Sequence, residues 1–587
     1  MSESAKITKS SSAEYFAKNL QQVGFSSFTK AVLTTVKEAI DNSLDACEDA
    51  GVLPEIWVEV ERLGEGTSKG ADLIRIRIQD NGPGIPIDSV VDVFGQYLAS
   101  SKFGKGRCSR GQQGIGISAV TTWAQLTHGT GVTVITKTPQ MRQAVKMVVE
   151  VDIKQNKGLV KHKEIIEDWD FKSGVSCEFI MDARVQLNGE GGLLTYLHGT
   201  ALVNPHLTLH YKLLDNDSVT ADRVSNVVAE IPEPTEPHPH TLKLGEFISH
   251  GRLYGKVSVG KWLKTGFSRI SDPVIAELIK DYKFSKSFFE DSLIKLSEDD
   301  FRKLYSALQA IKLMAPSTKS VLQIGETELA KSIQRLGEID FFSVVSRKPT
   351  ICDYKPVLVE VAIARKKNLA KEEMDAPVQI LRFANRVPLQ FDKGACAIVK
   401  AIESVNWKTY GLAQPKRALP QGPYIFAVSL VSPFIKFKNA SKETVDASDE
   451  LVEELRLAMI QCGQRLGAHI RRESKMADVE RKMQHIQLFA PILVKSLCRI
   501  TSASVEREKK AMDGLAKLLG QDSEQVASEL EAAHQKADLV QAKFDDKMGD
   551  TVEGQIKKIK KLKKTDSKKP NDESETNDDE DQLELNL

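Results

Sequence analysis

The sequence has few of the features that mark secreted, zinc-binding or membrane-spanning proteins. Its seven cysteines are an odd number, and no two of them form a CxxC pair. This pattern suggests neither a disulfide framework nor a cysteine zinc site, and it fits a reducing compartment. The first twelve residues are polar and do not read as a signal peptide, and no apolar run is long enough to cross a bilayer. We therefore expect a cytoplasmic protein with no membrane partner.

Neither sign of charge is in excess. The chain has 81 lysines and arginines against 80 acidic residues, a net charge of +1, so any contact with nucleic acid must come from local patches. The eleven histidines form no HExxH motif, and His238 and His240 stand in a proline-rich run that reads as a linker. A length of 587 residues indicates about three to four domains.

The first informative motif is the stretch from Thr35 to Ala46, which has the pattern of an amphipathic helix. Glu38, Asn42 and Asp45 share one face of that helix. Their oxygen atoms suit a hard cation such as Mg²⁺, and a carboxylate beside such a cation is placed to take a proton from an attacking water. An ordinary solvated helix face would have the same pattern.

Two predicted strands follow, at residues 56–60 and 73–78, and the second leads directly into Asp80-Asn81-Gly82-Pro83-Gly84. A carboxylate at the end of a strand presents an acceptor to a pocket. Gly84 has no Cβ, so the backbone there can approach a flat ligand closely. A plain β-turn is the alternative interpretation.

The segment from Lys102 to Gly116 is rich in glycine and basic residues, and it leads into a predicted helix. Backbone N–H groups at such a junction can bind phosphate oxygens, and Lys102 adds a positive charge. No strand comes immediately before it and no GKS or GKT follows, so it is neither a dinucleotide-binding fingerprint nor a Walker A loop.

In this order, the three motifs resemble the ATP-binding domain of the GHKL superfamily, which type II topoisomerases, Hsp90, sensor histidine kinases and mismatch-repair MutL share. The resemblance implies that ATP and Mg²⁺ bind here, with Asn42 as the Mg²⁺ ligand and Glu38 activating the hydrolytic water. It implies that Asp80 accepts a hydrogen bond from the adenine amino group and that Gly84 lies against the ring. The implied phosphate-binding residues are Ser101, Lys102, Gly111, Gln112, Gln113, Gly114, Ile115, Gly116, Ile117 and Ser118. Catalysis would consist of positioning and charge neutralisation.

Two positions depart from that superfamily's pattern. Ser118 stands where a lysine is frequent, which would leave one phosphate contact to the backbone. The segment from Ser173 to Ser176 stands where the superfamily has Gly-Thr. The hydroxyl expected near the adenine is therefore either missing or supplied by one of these two serines.

A proline-rich linker at residues 231–240 is expected to be extended and stiff. Helices are predicted at residues 272–279 and 299–311, with Ser297 as the N-cap of the second. This insert resembles the helix–two-turn–helix module, which contacts DNA elsewhere, although a structural spacer would look the same.

The remaining folded part is predicted to contain strands at 357–363, 378–383 and 424–430, with a helix at 395–405 between the last two. Long helices are predicted at 446–472 and 478–499, followed by a polar helical stretch at 504–546. Residues 556–564 are basic and residues 571–587 are acidic, so disorder is expected there. The basic run could contact DNA phosphates or could simply keep the chain in solution.

Several longer segments narrow the resemblance to the B subunits of DNA topoisomerase VI, over the region from Ala13 to about Gly467. The segments are GFSSFTKAVLTTVKEAIDNSLDA, FGQYLASSKFG, RGQQGIGISA, APSTKSVLQIGE, SRKPTICDYKPVLVEVAIA, LRFANRVPL, NWKTYGL and ASKET. The resemblance implies a transducer domain of the ribosomal-protein S5 type. It also implies that Lys442 is a switch lysine that reaches the γ-phosphate, as in other order–disorder switches.

The expected fold is therefore α+β and multidomain. Residues 1–230 would form the GHKL ATP-binding sandwich, 231–320 the linker and helix–two-turn–helix domain, and 321–475 the S5-like α/β transducer. Residues 476–545 would form a C-terminal helical extension, and 546–587 a disordered tail.

The expected function is that of the ATPase subunit of a type IIB topoisomerase. ATP would close two copies into a clamp around double-stranded DNA, in an A2B2 heterotetramer with an A-like cleaving subunit, associated with the nucleoid. The cutting tyrosine and its metal-binding acids would lie in that partner. The triplets Asp168-Trp169-Asp170 and Asp215-Asn216-Asp217 are accordingly interpreted as turn acids.

Three rival functions share part of the pattern. An Hsp90-like chaperone ATPase would have the first three motifs but not LRFANRVPL or the helical insert. A sensor kinase would need a phosphoacceptor histidine helix before the ATP module, where only a short polar segment precedes Glu38. A clamp that binds ATP without hydrolysing it would retain the pocket but not the role of Glu38 as a base.

Overall fold

The computed structural model describes residues 10–99, 106–111, 114–367, 375–416, 418–439, 442–517 and 519–520. The chain divides into two compact units, residues 1–471 and 472–587. Within the described ranges, no helix is both long enough and apolar enough to span a membrane.

The N-terminal part of the first unit is an eight-stranded sheet covered by helices. The helices are α1 Ser12–Lys18, α2 Phe28–Asp49, α3 Ile87–Gly95, α4 Gly116–His128 and α5 Leu193–Val203. The strands are β1 Glu55–Glu65, β2 Asp72–Asp80, β3 Val132–Lys137, β4 Ala144–Asp152, β5 Lys157–Ile166, β6 Gly174–Ala183, β7 Thr208–Leu213 and β8 Val219–Ala221. Their order is β5-β4-β3-β6-β2-β1-β7-β8, and β1 pairs with β7 in parallel. Burial alternates along β3 and β4, so one face of the sheet carries the core and helices α2 and α4 pack against it.

Helix α2 confirms the amphipathic helix predicted from the sequence. It begins after Ser27, whose hydroxyl accepts a hydrogen bond from the N–H of Lys30 at 3.2 Å. Val36, Ile40 and Leu44 are completely buried on its apolar face. Burial of each such side chain contributes roughly 1.5–3 kcal/mol. The apolar face therefore fixes the helix against the sheet. The position of its polar residues relative to the sheet is fixed as well.

A small helical domain follows the linker. Its helices are α6 Leu244–Leu253, α7 Val259–Gly266, α8 Asp272–Asp281, α9 Lys286–Glu290 and α10 Glu298–Ala310. They close around an aromatic core in which Phe247, Trp262 and Phe301 are almost fully buried. The two helices predicted from the sequence, α8 and α10, are confirmed with shifted ends, whereas α6 and α7 were not predicted.

The linker histidines pack against the neighbouring domain. His238 stacks on Tyr354 with ring centroids 4.9 Å apart, and His240 meets the same ring edge-on at 4.8 Å. Burial lowers the pKa of His238 to about 4. No group of three or more potential metal ligands occurs among the described residues.

The C-terminal part of the first unit contains a second, six-stranded sheet. Its helices are α11 Glu326–Ile333, α12 Ala397–Ser404 and the N-terminal part of α13 Asp449–Ile500. Its strands are β9 Ile339–Ser346, β10 Thr350–Cys352, β11 Lys355–Lys366, β12 Gln379–Ala384, β13 Val387–Leu389 and β14 Tyr424–Val431. The order is β10-β11-β14-β12-β13, and β9 also pairs with β11, along the edge away from β14. Strands β11 and β14 are buried along nearly their whole length because helices cover both faces.

The predicted break between two C-terminal helices is wrong. Helix α13 runs without interruption for 52 residues, because residues 473–477 contain neither glycine nor proline to end it. Residues 505–517 are also helical. The rest of the predicted polar helix, apart from residues 519–520, and the whole tail lie outside the described residues.

The predicted N-cap of α10 provides a test of local stability. The hydroxyl of Ser297 accepts from the N–H of Asp300 at 3.2 Å, and a carboxylate oxygen of Asp300 accepts from the N–H of Ser297 at 3.0 Å. We expect Ser297→Ala to cost about 1 kcal/mol, which corresponds to about fivefold faster hydrogen exchange in the first turn of α10. The measurement is exchange by mass spectrometry on peptides that cover residues 297–305.

Ser258 is a matched control, because it precedes α7 in the same domain but makes no side-chain capping bond. Ser258→Ala should leave exchange at the start of α7 unchanged. Equal acceleration in the two variants would contradict the capping role of Ser297.

Candidate functional site

A cavity of about 280 Å³ lies between α2, the carboxyl end of β2, the glycine-rich segment before α4, and residues of the second sheet. Most of the predicted site residues that the structure describes line this cavity. They are Glu38, Asn42, Asp80, Gly84, Gly111, Gly114, Ile115, Gly116, Ile117 and Lys442. The predicted residues Ser101, Lys102, Gln112 and Gln113 lie outside the described residues.

Asp80 lies at the floor of the cavity and is almost fully buried. One carboxylate oxygen accepts from the hydroxyl of Ser43 at 2.7 Å. The other accepts from the N–H groups of Gly82 at 2.9 Å and Val175 at 3.2 Å. Burial raises the pKa of Asp80, and these three donors oppose that rise. The carboxylate is therefore held in one orientation.

Ser43 was missed in the sequence, where only Ser173 and Ser176 were considered as hydroxyl donors near an adenine. The side chain of Ser176 instead accepts from Arg77 at 3.3 Å. The sequence did carry a signal, because Ser43 directly follows Asn42 on α2 and both residues line the cavity.

The turn after Asp80 requires glycine at residue 84. Gly84 has a φ of +73°, and a Cβ built there would lie 2.2 Å from the carbonyl oxygen of Lys137 at the end of β3. The following residue, Ile85, exchanges two hydrogen bonds with the hydroxyl of Thr136, at 2.8 and 2.9 Å. The turn is therefore pressed against the sheet, and this contact shapes the cavity floor.

The polar stripe of α2 divides between two environments. Glu38 and Asn42 face the cavity, where the glycine-rich segment approaches them closely. A Cβ on Gly116 would lie 1.7 Å from a carboxylate oxygen of Glu38, and one on Gly111 would lie 3.2 Å from the side-chain oxygen of Asn42. Asp45, the third member of the predicted stripe, instead pairs with Arg110 at 2.8 Å.

Helix α4 begins at the cavity wall, where Gly116 and Ile117 of its first turn line the cavity. The first intrahelical bond runs from the N–H of Ala119 to the carbonyl of Ile115, so the N–H groups of residues 116–118 have no partner within the helix. The side chain of Ser118 does not line the cavity, because its hydroxyl donates to the carbonyl of Gln96 at 2.8 Å. An anion at this helix end would therefore be bound by backbone groups and the helix dipole and not by the Ser118 side chain.

Lys442 enters the same cavity from the second sheet. Its Nζ donates to the carbonyl oxygen of Arg110 at 3.0 Å. Burial lowers the pKa of Lys442, and Glu38 is the strongest opposing influence. The next residue, Glu443, pairs with Lys30 of α2 at 2.9 Å, and Lys30 also lies 4.3 Å from the centre of the Phe391 ring. These contacts hold Lys442 and Glu443 at the cavity, which both residues line.

Comparison with known proteins identifies relatives over both sheets. Residues 29–155 match the family described as histidine kinase-, DNA gyrase B- and HSP90-like ATPase, and residues 316–482 match the topoisomerase VI B subunit transducer. The chain is 35% identical over 519 residues to the B subunit of type 2 DNA topoisomerase 6 from Archaeoglobus fulgidus, covering 88% of this chain and 83% of the relative. The corresponding protein from Methanococcoides burtonii is 34% identical, over 83% of this chain and 76% of its own length. The predicted ATP-binding fold and transducer are thereby confirmed.

The close approach at Gly84 predicts a specific sensitivity to a methyl group. Gly84→Ala adds a clash with backbone to the strain of a positive φ. Gly70→Ala has a similar φ of +82° but nothing within 4 Å of the added Cβ. We expect Gly84→Ala to lose about 1 to 3 kcal/mol more than Gly70→Ala. Thermal denaturation, together with hydrogen exchange in β3, measures this difference. Equal losses of unfolding free energy in the two variants would show that the contact with Lys137 does not affect stability.

Proposed function

The chain belongs to the family of topoisomerase VI B subunits, and from this premise we propose how its cavity supports the work of the ATPase subunit of a type IIB DNA topoisomerase. The carrying observation is that Glu38, Asn42, Asp80 and Lys442 line one cavity, although they come from α2, the end of β2 and the loop after β14.

The cavity has the chemistry that ATP requires. Asp80 is a fixed acceptor at the floor for the adenine amino group, and Gly84, which also lines the cavity, would lie against the ring. At the other side, the N–H groups of residues 116–118, which have no partner within α4, suit phosphate oxygens. Lys102 and Ser101 remain proposed contributors from outside the described residues.

Magnesium would be held by the side-chain oxygen of Asn42, which faces the cavity beside the glycine-rich segment. When bound, the ion would neutralise charge on the phosphate oxygens.

Glu38 is the general base in this proposal. Its carboxylate lies above the first turn of α4, which is where the anion-binding N–H groups converge. From this position it takes a proton from the water that attacks the terminal phosphate. Lys442 supplies a positive charge to the terminal phosphate, so its position reports whether that phosphate is present.

The finer assembly follows the family. Two copies dimerise when ATP binds and enclose a DNA duplex, and a cleaving A subunit in an A2B2 heterotetramer makes the transient double-strand break at the nucleoid. Domain limits at residues 230, 320, 475 and 545 are part of this proposal, with the helical domain as a candidate DNA contact.

An Hsp90-like chaperone is less well supported. The ATPase family match includes Hsp90-like proteins, but the transducer match over residues 316–482 is particular to topoisomerase VI B subunits. The fold of the ATP site alone would not separate the two functions.

Replacing the proposed base should separate binding from hydrolysis. We expect Glu38→Gln to lower the rate of ATP hydrolysis by about 100-fold or more, because a carboxamide accepts no proton, while a non-hydrolysable ATP analogue still binds. Steady-state phosphate release and analogue titration measure the two effects. Glu61→Gln, at an exposed glutamate on β1, is the control and should keep wild-type turnover. Undiminished hydrolysis in Glu38→Gln would remove Glu38 from this role.

The assembly is tested by co-purification with a candidate cleaving subunit and assay of supercoiled plasmid. We expect the pair, but neither protein alone, to relax the plasmid in the presence of ATP and Mg²⁺. Chelation of the metal should abolish ATP turnover as well as relaxation. If the chain hydrolysed ATP but never bound the partner or acted on DNA, the chaperone alternative would be favoured.

A further inference from the structure

A second group of charged residues lies just behind the nucleotide cavity and is almost completely withdrawn from solvent. We call it the Glu48 cluster, after the carboxylate at its centre. Its members are Asp45, Glu48, Arg110, Asn204, His206 and Arg386. They come from α2, from the glycine-rich segment, from the chain between α5 and β7, and from the turn between β12 and β13.

Both oxygens of Glu48 are shared by two arginines. Arg110 donates to them at 2.7 and 2.9 Å, and Arg386 donates to the same two oxygens at 2.7 and 2.9 Å. His206 approaches one of these oxygens at 2.9 Å. Burial alone would raise the pKa of Glu48, but the two guanidinium groups hold it well below its usual range.

The two arginines belong to different parts of the first unit. Arg110 stands next to Gly111, in the segment that forms the cavity wall, whereas Arg386 belongs to the second sheet. Its turn is fixed to β14, because Asn385 donates from its N–H to Leu430 at 2.9 Å and accepts from the N–H of Ser432 at 3.0 Å. A shift of β14 and a shift of the glycine-rich segment would therefore both act on the carboxylate of Glu48.

The segment around Arg110 has further contacts to the second sheet. Cys108 is buried against Val321, Leu322, Leu358 and Val431. The carbonyl of Arg110 accepts from Lys442, while its guanidinium binds Glu48. A single residue is thus bound at its backbone by the proposed phosphate-sensing lysine and at its side chain by the Glu48 cluster.

We propose that Glu48 is a positioning residue that couples the glycine-rich wall of the nucleotide cavity to the transducer, because it binds Arg110 and Arg386 through the same two oxygens. The proposal rests on the proposed function, since it assigns a route by which the state of that site reaches the second sheet. A shared bidentate contact in a buried site has few alternative arrangements. Displacing Arg110 therefore weakens or reorients the contact of Arg386, and the reverse holds equally, as linkage requires.

Arg386 offers the cleanest test, because it does not line the nucleotide cavity. We expect Arg386→Gln, in the full-length chain, to weaken the affinity for a non-hydrolysable ATP analogue by about 5- to 20-fold. Glu48→Gln should weaken it by a similar factor. The double variant should bind the analogue as tightly, within about twofold, as the single variant with the lower affinity, because both changes break the same route. Arg386→Lys keeps the charge but not the paired contact, and it should fall between wild type and Arg386→Gln.

A matched control is the ion pair between Arg347, which is partly buried, and Glu454, which is buried; it joins two elements of the second sheet region without touching the glycine-rich segment. Glu454→Gln should lower thermal stability but leave analogue affinity within about twofold of wild type. Circular dichroism and thermal melting of every variant verify folding. If Glu48→Gln does not fold, the comparison of Arg386→Gln, Arg386→Lys and Glu454→Gln still decides.

The outcomes are distinct. If wild-type protein fails to bind the analogue, the proposed function itself falls. If wild type binds and Arg386→Gln binds equally well, or if the two single effects multiply in the double variant, the coupling through Glu48 is overturned. Equal weakening by Glu454→Gln would show that loss of any buried pair loosens the site, and would overturn it too.

Discussion

The arrangement of the first unit depends on one buried contact, in which a carboxylate and two guanidinium groups are withdrawn from water. Charges buried this deeply are tolerated only when each has its partners in place. Glu48, Arg110 and Arg386 satisfy this condition only if α2, the glycine-rich segment and the turn between β12 and β13 are all present together. The ATP-binding sheet and the transducer sheet are therefore joined by a contact that neither can complete alone.

Helix α2 organises this arrangement because its polar face continues for most of its length. Residues 38, 42, 45 and 48 follow one another at helical spacing. The first two face the nucleotide cavity, and the last two bind arginines. A rigid helix with a buried apolar side can hold both groups at constant separation, so the chemistry of the cavity and the ion pairs behind it share one support.

Much of this could be predicted from the sequence where the signal was local. The helical period of α2, the strand that ends at Asp80, the glycine at residue 84 and the capping serine at residue 297 are all visible in short windows, and the structure has them there. The broader assignment came from resemblance over many segments, which also implied that Lys442 reaches the γ-phosphate; the structure has Lys442 in the wall of the cavity.

What could not be predicted depends on contacts between distant residues. Arg110 reads as one more basic residue in a loop, and Arg386 as a turn residue; nothing local shows that both meet Glu48. Ser43 was overlooked because its partner, Asp80, lies on another element. Helices α6 and α7 were missed because their short apolar patterns gain meaning only around the shared aromatic core of Phe247 and Trp262. The uninterrupted α13 shows the opposite error, a boundary assigned where no helix-ending residue stands.

The fixed carboxylate of Asp80 has a consequence for the choice of base. Three protein donors already bind its two oxygens. Toward the cavity, the carboxylate can therefore accept a further hydrogen bond but cannot donate one. A purine that presents an amino group there completes the set, whereas one that presents a carbonyl oxygen brings two acceptors together with no hydrogen between them. Such an unpaired encounter in a buried site is strongly unfavourable. The cavity floor would thus distinguish adenine from guanine or hypoxanthine by repulsion as much as by attraction.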